Sequence, residues 1–143
     1  MGKILVIGQA PPAVKQTIPY DTTLLYEMLS WVGISKEQAQ DIFEWEAMTN
    51  KFPGFGETGH KPPTKEEMKS HYRNRLRAKI IDAEKIILLG AVAKENCKEF
   101  GLWLLKDSKN VLCLIHPSKR NYSAIMEDKI NIESKLRDFL PKS

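Results

Sequence analysis

Lys3-Ile4-Leu5-Val6-Ile7-Gly8 decides the fold class. Its consecutive apolar residues leave no polar face, so the run predicts a strand buried on both sides. The same signature returns at Lys85–Leu89, closed by Gly90, and at Asn110–Ile115. Ile42–Thr49 predicts a further strand, with Phe43, Trp45 and Ala47 alternating against Glu44 and Glu46. Helical patterns separate these runs. Doubly buried strands alternating with helices predict an α/β fold: a three-layer α/β/α sandwich around a four-stranded parallel sheet.

The helices announce themselves by their caps. Asp21-Thr22-Thr23 precedes the apolar face Leu24, Leu25, Met28, Leu29 and Val32, and Gly33 is a natural stop. Ser35 with Gln38, and Thr64 with Glu67, read as capping boxes. The second opens a long helix to about Ala83, with Met68, Tyr72, Leu76 and Ile80 facing inward. A helix from Gly90 to Phe100 ends at Gly101, and Ser123–Leu140 predicts one last helix.

The 143 residues fit a single domain spanning 1–143, with 42% hydrophobic residues to build a core. The formal charge of +4 permits a polyanionic partner without demanding one. No secretory or membrane-spanning pattern is visible, so no membrane association is expected. Cys97 and Cys113 are isolated, lack metal-ligand spacing, and read as small hydrophobes in a reducing, cytoplasmic setting.

In parallel sheets, ligands bind beyond the carboxyl ends of the strands. Three loops belong there: 8–20, 50–63 and 116–122. In the first, Gly8-Gln9-Ala10-Pro11-Pro12 is a turn stiffened by two prolines, and the Ala10 N–H is free to hold a polar ligand edge or a water. Taken alone, the segment reads first as a plain strand-to-loop turn. Tyr20 can stack on a planar base or simply pack over the first helix. Asp21 reads as a helix cap and, beyond that, as a carboxylate able to activate water.

Asn50 carries a donor and an acceptor in one plane, matching the O4 and N3–H edge of uracil, although it also suits a turn. His116 can donate to an oxygen that gains charge as a glycosidic bond breaks. Ser118, Lys119, Arg120 and Asn121 behind it can hold phosphate or press into a duplex gap; a solvated basic loop is the plainer alternative. Lys65, Lys69, Arg73 and Arg77 form a basic stripe on the long helix, suited to a phosphate backbone or to solvent.

Taken in order, these segments resemble the uracil-DNA glycosylase superfamily, nearest its iron–sulfur-containing family 4 branch. That branch has G-E-A-P-G where this chain has Gly8–Pro12, and P-F-V-G before an L-L-x-x-L-L-x-x-x-G helix where this chain has Pro19-Tyr20-Asp21 before Leu24–Ile34. It has T-N-x-x-K-C-R-P-P where Thr49-Asn50 leads to Lys51-Phe52-Pro53, and L-G-x-x-A where Leu89-Gly90-Ala91-Val92-Ala93 stands. The stretch His116–Asn121 is closer to the H-P-S-P-R-N of the single-strand-selective branch.

The resemblance implies a DNA glycosylase acting on uracil or a modified pyrimidine flipped from single- or double-stranded DNA. It implies that Gln9, Ala10, Tyr20 and Asn50 hold the base and that His116 stabilises charge on O2. Ser118 to Asn121 would grip the duplex. The cluster-ligating cysteines of family 4 are missing, so no iron–sulfur cluster or other cofactor is expected, and the expected state is a monomer. The acids of G-E-A-P-G and of G-Q-D-P-Y-H are replaced by Gln9 and Ala10, leaving Asp21 as the nearby carboxylate. That loss keeps two rivals open: a non-catalytic base-, nucleotide- or DNA-binding module of the same fold, and an enzyme acting on free nucleotides or nucleosides.

Overall fold

The computed structural model describes residues 3–9, 22–50, 55–56, 59–60 and 63–141. The chain runs through β1 (Ile4–Gly8), α1 (Thr23–Ser30), α2 (Lys36–Ile42) and β2 (Phe43–Ala47). A short antiparallel ribbon follows, β3 (Phe55–Gly56) with β4 (Gly59–His60). Then come α3 (Lys65–His71), a π-turn (Tyr72–Leu76), α4 (Arg77–Asp82), β5 (Lys85–Leu89), α5 (Gly90–Glu99) and α6 (Leu102–Leu105). β6 (Val111–Leu114), α7 (Tyr122–Glu127) and α8 (Lys129–Phe139) complete it.

β1, β2, β5 and β6 form one parallel sheet in the order β2-β1-β5-β6. Successive side chains of an apolar strand point to opposite faces, and the two cores divide accordingly. Ile4, Val6, Ile87 and Leu89 pack with Leu25, Met28, Ile132 and Leu136 of α1 and α8. Leu5, Ile7, Ile86 and Leu88 pack with Met68, Leu76, Ile80 and Cys97 of the α3–α4 and α5 layer. The expected three-layer sandwich is present, and the absence of polar alternation in β1 is its direct cause.

Ser35 and Gln38 make both bonds of a capping box, at 3.1 and 2.8 Å, and Thr64 accepts from the Glu67 N–H at 3.2 Å. The long helix departs from a plain α-helix for a reason visible in its pattern. Met68, Tyr72, Leu76 and Ile80 are all buried, and they recur every four residues. A four-residue repeat outruns a 3.6-residue turn, so the apolar row would wind away from the sheet. The π-turn at Tyr72–Leu76 takes up the extra residue and keeps the row on the core.

One further element differs from expectation. The last helix is broken: α7 ends at Glu127, Asp128 leaves helical geometry (φ −99, ψ 13), and α8 begins at Lys129. The Asp128 carboxylate accepts from the Asn131 amide at 2.7 Å, a local bond that competes with helix continuation. In β2, whose glutamates alternate with its apolar residues, Glu44 is partly exposed and Glu46 is buried. They face the α3–α4 helix, where Lys79 pairs with Glu44 and Arg75 with Glu46. Among the described residues no helix is long and apolar enough to cross a membrane.

Candidate active site

The sheet order fixes where a ligand has room. β1 has β2 on one side and β5 on the other, so the chain reverses its winding between β1 and β5 and leaves a crevice at their carboxyl ends. The register aligns those ends: Gly8 opposite Ala47, Ile7 opposite Leu88, Leu89 opposite Leu114. Gln9, Asn50 and His116 leave β1, β2 and β6 at that edge.

Gln9 is half-buried, and its carbonyl shares the Met48 N–H with that of Gly8, at 3.1 and 2.9 Å. This fork ties the start of the first loop to the start of the second. Thr49 is buried and Asn50 emerges exposed from it. Ala10, Tyr20 and Asp21 lie outside the described residues, so their expected roles are not placed.

His116 is held from three sides. Its carbonyl accepts from the Ser118 N–H at 2.9 Å and from the Asn121 side-chain amide at 3.0 Å. The Asn121 N–H closes the turn on the Ser118 carbonyl at 3.0 Å. The imidazole packs on Gly90: a Cβ there would stand 3.1 Å from His116 Cβ and 3.4 Å from Cδ2. Gly90 also has φ +88, which side chains other than hydrogen resist. The glycine closing β5 thus makes the seat for the histidine after β6. Burial, with Arg120 nearby, lowers the His116 pKa below its ordinary value. The ring is therefore neutral near pH 7, with one N–H to donate.

The Asn121 amide, expected to touch DNA, donates one N–H to the His116 carbonyl. Ser118 is half-buried and Arg120 exposed beside it. Lys119 begins a short 3₁₀ turn through Asn121.

The basic stripe is elsewhere. Lys65, Lys69, Arg73 and Arg77 line a cavity of about 580 Å³ between the α3–α4 helix and the segment around α6, together with Tyr72 and Glu99. None of Gln9, Asn50, His116 or Ser118 lines it.

One cluster escaped the sequence reading. Glu46, 8% exposed, accepts from Arg75 through Nε and Nη2, both at 2.9 Å. His71 lies beside this pair with a hydrogen bond to the Ala47 backbone, and burial lowers its pKa against the opposing pull of Glu46. The cluster clamps the π-turn region to the end of β2. Its signal was the match of glutamates two apart on a strand with cations four apart on a helix. Cys97 is buried, its Sγ 3.6 Å from Met48 Sδ, and burial pushes its thiol up to about 12. It is a packing residue, and the half-buried Cys113 is shifted the same way by burial.

A model of the family described as "Uracil DNA glycosylase superfamily" matches residues 2–139. No curated protein matches the chain.

Proposed function

Since the chain belongs to the uracil DNA glycosylase superfamily, we propose that it hydrolyses the N-glycosidic bond of uracil or a modified pyrimidine turned out of DNA into the crevice at β1 and β5. The observation that carries this reading is His116: neutral, half-buried, and fixed by its backbone on Gly90 at the strand ends.

In this reaction the C1′–N1 bond breaks and its electron pair passes into the pyrimidine, where O2 gains charge. A preorganised N–H at O2 costs no reorganisation at that moment, and His116 supplies it. Water then adds at C1′, and the proton it loses is balanced by one taken up on the departing base. Asn50 reads O4 and N3–H. Ala10 and Tyr20 hold the base from the first loop, Gln9 orients the water, and Asp21 is the carboxylate available to take its proton. Ser118, Lys119 and Arg120 contact phosphate, a role that favours affinity over sequence choice. The chain works as one domain and as a monomer.

A second reading is favoured by one feature. Gln9 and Ala10 put no carboxylate in the first turn, as suits a module that grips a base without cleaving it. Incubation with oligonucleotides carrying uracil or modified pyrimidines, followed by alkaline cleavage of abasic sites, decides between them. Strand cleavage that depends on His116 is the expected result. Tight binding of an uncleavable analogue with no excision of any base would establish the binding module instead.

A further inference from the structure

Asn50 is exposed, yet the four residues before it are all buried, and three of them are tied to different neighbours. Glu46 accepts two bonds from Arg75, Nε to Oε1 and Nη2 to Oε2, both at 2.9 Å. The Ala47 backbone is hydrogen-bonded by His71. The Met48 N–H is shared by the Gly8 and Gln9 carbonyls, and its Sδ lies 3.6 Å from Cys97 Sγ. Two of these ties come from one helix. His71 ends α3, and Arg75 lies in the π-turn, a distortion that recurs at functional sites.

Stability does not account for the Glu46–Arg75 pair. A carboxylate 8% exposed between sheet and helix gives up its hydration, and an apolar pair of similar volume is often as stable there. What apolar packing lacks is direction. Two parallel bonds from a planar guanidinium set both the distance and the angle between strand and helix. Glu44 and Lys79 supply the comparison. They join the same strand to the same helix two residues further from Asn50, through a single ammonium group and with both side chains partly exposed. The directional pair is the one nearer the crevice.

We propose that Glu46 and Arg75 are positioning residues for base recognition: their paired bonds hold the end of β2 so that the Asn50 amide meets the pyrimidine edge. This rests on the reading of Asn50 as the group facing O4 and N3–H. The pair touches no substrate and acts through the buried backbone of Ala47, Met48 and Thr49. Its loss is therefore read as lost discrimination between bases.

Oligonucleotides carrying an uncleavable 2′-fluoro uracil or cytosine nucleotide are titrated against wild type and variants, and the uracil-to-cytosine affinity ratio is measured with each melting temperature. The swap Glu46→Leu/Arg75→Met removes both partners together and leaves no buried charge unpaired, so it folds. Its ratio falls about fivefold, the worth of one hydrogen bond at the base edge. Glu46→Gln keeps the shape with weaker bonds and falls less, and it carries the test if the swap does not fold. Glu44→Leu/Lys79→Met keeps the wild-type ratio. Asn50→Ala loses the preference, and adding the Glu46→Leu/Arg75→Met swap to it changes nothing more, because the pair has nothing left to position. An unchanged ratio in the Glu46→Leu/Arg75→Met swap, an equal fall in both swaps, or a further fall on top of Asn50→Ala overturns the proposal. A wild-type ratio in Asn50→Ala is a different failure: it removes base reading from Asn50, and the proposal falls with that reading.

Discussion

The His116–Asn121 loop and the outer face of the α3–α4 helix both carry basic residues in their sequence, yet they are built in opposite ways. In the loop, backbone bonds and one glycine set the position of a single neutral ring. On the helix, several exposed charges share one wall. The loop depends on position and the helix on summed charge. A displacement of a few tenths of an ångström damages the first, and the loss of one side chain is partly covered in the second.

The largest effect expected from breaking this contrast is on the chemical step. His116→Ala removes the donor at O2 and slows single-turnover excision by about 10²–10³-fold, close to the loss of one oxyanion donor. Binding of an uncleavable analogue stays within a few-fold of wild type. The triple variant Lys69→Ala/Arg73→Ala/Arg77→Ala leaves the excision rate and the salt slope of DNA binding unchanged. A slope shallower by about one unit per removed charge would show that the stripe grips DNA after all.

Gly90 sharpens the comparison by attacking position without touching a functional group. Gly90→Ala places a Cβ 3.1 Å from His116 Cβ on a backbone at φ +88. The left-handed backbone alone costs about 1–2 kcal/mol. Excision falls at least tenfold because the imidazole must shift. Gly101→Ala is the control: φ is +99, but the new Cβ meets only Leu104 Cδ1, at 3.7 Å. Both variants lose similar melting temperature, and only Gly90→Ala loses rate. Equal rates in the two would detach Gly90 from the site.

The two regions also differ in what protons do to them. His116 has a lowered pKa, so its neutral form persists below pH 6.5 and the excision rate falls only under that value. For stability the sign follows from linkage. With folded values below the unfolded one, His116 and His71 make the unfolded chain bind more protons in mild acid. Their contribution is complete above about pH 6.5 and is lost as pH falls through the folded values. Melting curves from pH 7.5 to 5 should drop on the acid side. The drop should shrink in His71→Gln, whose excision limb stays that of wild type.

Much of this architecture was legible in local pattern. The apolar runs of β1 and β5, the caps at Ser35 and Thr64, and the placement of Gln9, Asn50 and His116 at one sheet edge follow from periodicity and connection order. What stayed hidden was contact across long separations: Glu46 with Arg75, and Gly90 under His116. The π-turn and the cavity were hidden for another reason. A four-residue repeat reads as an ordinary helix face until the drift of 3.6 residues per turn is counted against it. The expected roles of Ala10, Tyr20 and Asp21 fall on residues outside the described structure.

The smallest effect separates positioning from grip at Asn121. Its amide donates to the His116 carbonyl, which also accepts from the Ser118 N–H, so Asn121→Ala leaves that oxygen bonded. The loss is that of one hydrogen bond, about 1 kcal/mol, or roughly fivefold in rate. If Asn121 serves the loop, kcat falls and KM and its salt dependence hold. Asn121→Asp falls further than alanine, because a carboxylate cannot donate and faces a carbonyl. If Asn121 grips the duplex instead, KM rises, the salt dependence changes, and kcat at saturation is spared. Steady-state kinetics at two salt concentrations separate these outcomes. A KM effect alone would mean that the His116 loop holds its shape without this bond.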